Sequence, residues 1–167
     1  KDMKEVKPDV LFAVPALIEK LSQKIDKAIE ATGKEKVIRT AGKLATGLSK
    51  IGLDFRRKIF KQIQDNFGGN LKYLFCGAAP VDKDIIYKLE SYGFVFMQGF
   101  GVTEASPLIS ATTFDNREPG TCGKAIHGGQ IRIDLSKNED KSSNIGEILA
   151  KGDNIMMGYY KDDKKTK

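Results

Sequence analysis

Cysteine and histidine are scarce in this chain: Cys76, Cys122 and His127 are the whole supply among 167 residues. At these spacings they make no metal-binding pattern, and the one disulfide that arithmetic allows is not a scaffold. So few cysteines fit an intracellular protein with free thiols, and a cytoplasmic location is the expectation. No run of about 18 apolar residues occurs, which excludes a membrane-spanning helix. The opening "KDMKEVKPDV" lacks the apolar stretch and small-residue cleavage site of a secretory signal. Internal repeats are absent as well. What is present, 40% hydrophobic and 30% charged residues, suits a globular chain with a real core.

The net charge of +6 is unevenly spread. Between Lys34 and Lys61 stand nine cations (Lys34, Lys36, Arg39, Lys43, Lys50, Arg56, Arg57, Lys58 and Lys61) against Glu35 and Asp54, which leaves the rest near neutral. Two readings fit residues 34–61: a solvated helical face, or a surface for anionic membrane lipid or a phosphate-rich ligand. Phe55 and Phe60 fall at helical core positions instead of interleaving as a platform for bases, so no nucleic-acid partner is expected.

Hydrophobic spacing sets out the elements. Val10 to Val14 reads as a short buried strand, with Pro15 well placed in the first turn of a helix. Leu17, Leu21, Ile25 and Ile29, with Ile18 and Ala28 beside them, give that helix an apolar face. A second helix runs through Val37, Ala41, Leu44, Ala45 and Leu48. A third runs through Phe55, Ile59, Ile63 and Phe67 and stops at Gly68-Gly69. "GKLATGLS", Gly42 to Ser49, has the glycine spacing of a phosphate-binding loop. Leu48 stands where that loop needs its lysine, so the match has no mechanism.

"LKYLFC", Leu71 to Cys76, is a strand whose apolar character fits a sheet covered on both faces. A helix marked by Val81, Ile85 and Leu89 follows, then a second buried strand, "FVFM", Phe94 to Met97. Strand, helix and strand with short joints form a parallel βαβ unit, so the fold class expected is α/β. Ligands collect at the carboxyl ends of such strands, where Gly77–Pro80 and Gln98–Glu104 lie. After about Pro119 the pattern changes to alternation: "GQIRIDL", a polar turn "SKNEDKSSN" and "GEILAKG" suggest a small antiparallel ribbon. The expected organisation is an α/β part over 1–118 and a β-rich subdomain over 119–167.

The stretch "QGFGVTE", Gln98 to Glu104, carries the chemistry. Gly99 and Gly101 permit positive φ and close approach to the backbone, so a tight turn with exposed N–H groups is expected. Phe100 offers a ring face, and Thr103 a hydroxyl for an anionic oxygen. Glu104 would repel a phosphate unless Mg²⁺, which takes one or two carboxylates plus substrate phosphates, stood between them. A nucleotide laid along this loop accounts for all of these. A plain turn with a surface acid is the other reading that the residues by themselves allow.

"GFGVTE" resembles the Gly-Tyr-Gly-x-Thr-Glu motif of the acyl-adenylate-forming (AMP-binding) enzymes. "CGAAPV" is similar to their Gly-Gly/Ala-Ala-Pro loop, and Gly146 to Thr166, "GEILAKGDNIMMGYYKDDKKT", to their Gly-Glu-Leu…Gly-Tyr…Thr motif. "PDVLFAVPALIEKL" and the basic stretch after it look most like the long-chain fatty acyl-CoA synthetase branch, and the resemblance runs from about Pro8 to Thr166. It implies a ligase with ATP and coenzyme A as substrates and Mg²⁺ as cofactor, in which a fatty acid attacks the α-phosphate and releases pyrophosphate, and the coenzyme A thiol then attacks the acyl-AMP and releases AMP. By resemblance, the backbone at Gly77, Ala78 and Ala79 packs on one face of adenine, and Gln98, Gly99 and Phe100 hold its edge and other face. Thr103 binds the α-phosphate, Glu104 ligates Mg²⁺, and the surroundings of Gly101 and Val102 border the acyl pocket.

Phe100 departs from the family's tyrosine, keeping the ring face and losing a hydroxyl. His127 stands where the family often has proline, and Cys76 and Cys122, with no base nearby in sequence, read as packing residues. Tyr159 and Glu147, in the third motif, carry no assigned chemistry. The family's lysine-bearing phosphate loop would precede Lys1. Its ribose-binding aspartate and its carboxyl-terminal domain, with a further lysine, would follow Lys167. The chain therefore reads as a piece of a larger enzyme, inactive as a ligase alone. A non-catalytic adenylate-binding module, a basic-faced peripheral membrane element, and a ligase for aryl or medium-chain acids remain open alternatives.

Overall fold

The computed structural model describes residues 2–49, 51–138 and 142–166. Lys50 of the basic stretch, and Glu139, Asp140 and Lys141 of the polar turn, lie outside the described residues. The chain divides into two compact units, one of 1–98 with 118–121, the other of 99–117 with 122–167.

In the first unit, α1 (Asp2–Val6) leads to β1 (Val10–Ala13) and α2 (Pro15–Glu30). Pro15 occupies the first turn of α2, where its missing N–H costs nothing. The buried ridge is Ile18, Leu21, Ile25 and Ile29, at 0, 8, 3 and 4% exposure, while Leu17 is 41% exposed. The face is thus turned by one residue from the expected one: the three-then-four spacing of 18, 21, 25 and 29 keeps closer to one helical line than strict fours.

A similar rotation affects α3 (Glu35–Ser49), which buries Gly42 and Ala45 with Ile38 and Ala41 partly covered, and leaves Val37 and Leu44 exposed. A side chain on Gly42 would crowd Ser91, so this glycine serves close helix packing inside an ordinary helix. The third expected helix is two: α4 (Arg56–Ile59) and α5 (Lys61–Asp65). The chain breaks at Phe60, which leaves helical geometry at φ −102°, ψ 31° and turns its ring edge-on to Tyr92, with centroids 5.1 Å apart. Phe60 is buried while Phe55 and Ile59 stay exposed.

The strands β2 (Tyr73–Cys76) and β3 (Val95–Gly101) flank α6 (Lys83–Ser91), which Asp82 caps by accepting the Asp84 N–H at 2.8 Å. β1, β2 and β3 pair in parallel, with Phe12 opposite Phe75 and Phe75 opposite Met97. Leu11, Ala13, Leu74, Cys76 and Phe96 join the core made with α2 and α6. On the other face Phe12, 77% exposed, stacks on Phe75 at 5.0 Å, so within this unit the helices cover one face where two were expected.

The basic stretch is partly structural. Arg57 donates to the carbonyls of Leu71 and Gly69 at 2.8 and 3.0 Å, which holds the approach to β2. Arg56 donates to Glu90 O at 2.9 Å and pairs with Asp54 at 2.6 Å, holding that carboxyl below its usual range. Arg39 and Lys61 pair with Glu35 and Asp65. Among the described residues no helix is long and apolar enough to cross a membrane.

In the second unit the last residues of β3 pair antiparallel with β4 (Leu108–Ala111), and β4 with β5 (Lys124–Ala125). The fold is α/β, and the strands β1, β2 and β3 are parallel as expected. The separate ribbon of β6 (Gln130–Asp134) and β7 (Glu147–Lys151) is antiparallel, with Gln130 opposite Lys151 and Asp134 opposite Glu147. A last turn of helix, α7 (Asp163–Thr166), follows.

Candidate functional site

Each unit carries part of the expected site. In the first, the register places Cys76 beside Gln98, so the Gly77–Ala79 loop leaves the sheet next to that residue. Ala78 is held at φ 74°, a left-handed conformation that costs a residue with a Cβ roughly 1–2 kcal/mol. Gln98 is buried, and its Oε1 accepts the Gly120 N–H at 3.2 Å. Its side chain therefore braces the 118–121 segment, a role its position in the motif does not announce. Cys76 packs in the core and burial pushes its thiol up; Cys122 is exposed, and both are free.

The second unit holds Gly99, Phe100, Gly101, Thr103 and Glu104. The expected glycine turn is corrected here. Gly99 to Gly101 are strand residues of β3, and neither glycine lies at positive φ. A Cβ on Gly101 would collide with the Pro107 carbonyl, and one on Gly99 would press on Leu108 Cδ1 at 3.0 Å. The glycines let β4 fold back closely over β3 at the register shift between Phe100 and Gly101. Positive φ falls instead on Ser106, at φ 55°, just after the turn.

That turn is a single 3₁₀ turn, Thr103–Ala105. Ala105, fully buried, anchors it and leaves the Thr103 side chain exposed and Glu104 half-exposed. Residues 154–159 grip it from behind. Asn154 Nδ2 donates to Ala105 O at 3.0 Å and to Leu108 O at 2.8 Å. The Met156 N–H donates to Glu104 O at 2.8 Å, and the Tyr159 hydroxyl donates to Glu104 Oε1 at 2.5 Å. The hydrogen bond from Tyr159 lowers the Glu104 carboxyl pKa, and the same bond raises that of the phenol. At neutral pH Glu104 is an anion and Tyr159 its neutral donor.

Among the described residues no three His, Cys, Asp or Glu side chains converge as a metal cluster. A magnesium ion arriving on a nucleotide's phosphates needs only one or two protein carboxylates. Ionised Glu104 supplies one, and a carboxylate that accepts only the Tyr159 hydroxyl and its own backbone N–H keeps lone pairs for a cation. The residues fit the ion. Sequence reasoning left Tyr159 without a role and did not find Asn154. The Gly-Tyr of the third motif was the available signal for Tyr159; nothing in the sequence pairs Asn154 with a carbonyl some fifty residues earlier.

The family model "AMP-binding enzyme" matches residues 1–160. The chain belongs to the AMP-binding enzyme family. Long-chain-fatty-acid–CoA ligase 5 of Rattus norvegicus is 25% identical over 173 residues, covering 99% of this chain and 25% of the relative. Long-chain-fatty-acid–CoA ligase 1 of Homo sapiens is 28% identical over 173 residues, with the same coverage. The anthranilate CoA ligase AuaEII, solved in complex with anthranoyl-AMP, superposes with a TM-score of 0.60 at 13% identity over 98% of this chain and 25% of its own, a likeness of fold. The chain spans about a quarter of the length of the curated relatives it matches.

Proposed function

We propose that this chain serves, within a longer polypeptide, as the adenylate-binding part of an ATP-dependent acid–CoA ligase that activates a long-chain fatty acid as its acyl-AMP and passes the acyl group to coenzyme A. The observation that carries the reading is Glu104, an ionised carboxylate beside the exposed Thr103 hydroxyl on a turn gripped from behind by Asn154, Met156 and Tyr159. Family membership and relatives named as long-chain-fatty-acid–CoA ligases support it.

In this reading the backbone of Gly77, Ala78 and Ala79 and the strand residues Gln98, Gly99 and Phe100 receive the adenine. Thr103 donates to the α-phosphate, and the backbone near Gly101 borders the acyl chain. Glu104 holds Mg²⁺, which when bound neutralises phosphate charge and so eases attack by the carboxylate anion. A turn fixed before substrate arrives supplies what nucleotidyl transfer most needs, positioned charge with little reorganisation. The long-chain assignment follows the names of the sequence relatives.

The test is pyrophosphate release from Mg·ATP by the full-length protein over a panel of acids. Release dependent on palmitate-length acids, and lost in Glu104→Gln, is expected. Dependence on benzoate- or anthranilate-type acids would replace the substrate class, and acid-independent behaviour in both proteins would remove the ligase reading.

A further inference from the structure

Residues 154–166 hold the 3₁₀ turn as one continuous segment. Four acceptors of the turn and the start of β4 are engaged by this one segment: the carbonyls of Glu104, Ala105 and Leu108, and the Glu104 carboxylate. The segment is in turn held at its far end. Thr166 Oγ1 accepts the Tyr159 N–H at 3.0 Å and donates to Asp162 O at 2.8 Å. A side chain on Gly158 would collide with Thr166, so glycine there lets the two ends of the 158–166 loop close on each other. The Tyr159 ring is 42% exposed and closes no core; its hydroxyl spans 55 residues of sequence to one carboxylate oxygen.

We propose that Tyr159 is a positioning residue for the metal site: its hydroxyl fixes Glu104 Oε1 so that the carboxylate presents its remaining lone pairs to the cation of a metal–nucleotide complex, and Thr166 fixes Tyr159. The proposal rests on the reading of Glu104 given above. A half-exposed glutamate on a short turn otherwise samples several rotamers, and only some face an incoming cation. A hydrogen bond to one oxygen selects among them before the ligand arrives, as outer-shell partners of metal ligands commonly do.

The experiment uses the full-length protein with Mn²⁺ in place of Mg²⁺. Binding of Mn·ATP is followed by electron paramagnetic resonance, and binding of metal-free ATP in chelator by calorimetry. For Tyr159→Phe, which keeps the ring, an affinity loss of about 10-fold is expected for Mn·ATP, with metal-free ATP unchanged within about twofold. Thr166→Val, which keeps the phenol but frees its backbone, should shift Mn·ATP in the same direction by less. Glu104→Gln should abolish the advantage of Mn·ATP over free ATP.

If Glu104→Gln loses that advantage while Tyr159→Phe and Thr166→Val bind Mn·ATP like the parent, the positioning role is wrong and the assignment of Glu104 stands. If Glu104→Gln keeps the advantage, the assignment of Glu104 fails and takes this proposal with it. Equal losses for metal-free and metal-bound nucleotide in Tyr159→Phe would make the tyrosine merely structural, which also overturns the proposal.

Discussion

Replacing Gly101 by alanine isolates the physical demand of the "GFG" segment. The new Cβ would meet the Pro107 carbonyl oxygen far inside contact distance, with Pro107 C at 2.8 Å and Leu108 Cα at 3.0 Å. All three are backbone atoms of the facing chain, and proline's fixed φ denies them an easy rotation. The start of β4 must therefore move away by roughly 1 Å or more before ordinary contact is restored. Overpacking of this kind costs about 1–3 kcal/mol, and loss of a ladder hydrogen bond beside Gly101 and Leu108 adds about 1 kcal/mol, for a total near 2–4 kcal/mol. Gly99→Ala is the control, because its nearest neighbour is the mobile tip of Leu108, and the same reckoning gives about 1 kcal/mol or less. Urea unfolding with amide exchange at Leu108–Ala111 should show the large effect at 101 and the small one at 99. Equal effects, or a neutral Gly101→Ala, would refute the claim that these glycines exist for strand closure.

Other expectations follow from single contacts. Asn154→Ala removes two hydrogen bonds to Ala105 O and Leu108 O and should destabilise the second unit by about 1–2 kcal/mol, read as faster amide exchange in the 103–108 turn. Because the Tyr159 hydrogen bond depresses the Glu104 pKa in the folded state, its stabilisation is present at neutral pH. It fades as pH falls from the unfolded value of about 4.3 through the lower folded one; carboxyl NMR should find Glu104 below ordinary glutamates, and Tyr159→Phe should raise it. Exposed Cys122 should alkylate rapidly, while Cys76, buried with its thiol pKa raised, should resist until unfolding. Leu74→Ala, at a side chain 1% exposed in the centre of β2, should cost about 2–5 kcal/mol in urea unfolding.

The layout of strands and helices was legible because apolar spacing is a direct imprint of burial: Pro15 opening α2, the parallel pairing around α6 and the 130–151 ribbon all follow from it. Phase was less legible. Ile18 rather than Leu17, and Ala45 rather than Leu44, point inward, because one residue rotates a helix by only 100° and large side chains sit on both flanks of the buried face. The break falls at Phe60, whose ring packs edge-on against Tyr92, a tertiary contact that no local pattern carries. β4 and β5 pair within a connection whose serine, threonine and proline content reads as loop.

At the candidate site, the motif singled out Thr103 and Glu104, which share one 3₁₀ turn, yet its glycines suggested a ligand-hugging turn where the structure has a closed hairpin. A glycine required by a facing carbonyl and a glycine required by a ligand look alike in sequence. The grip of residues 154–166 on the turn was hidden for a different reason. Its donors and acceptors lie some fifty residues apart, and hydrogen-bond partners leave no periodic trace.

In the proposed reading, Glu104 and Thr103 receive the anionic, metal-bearing end of a nucleotide. A crystal structure of the full-length protein with Mg²⁺ and a non-hydrolysable ATP analogue tests it most directly. The expected result is a Glu104 carboxylate oxygen in the magnesium shell at about 2.1 Å, with Thr103 Oγ1 donating to a phosphate oxygen. Magnesium held by other carboxylates, with Glu104 turned to solvent and Thr103 away from the phosphates, would contradict it.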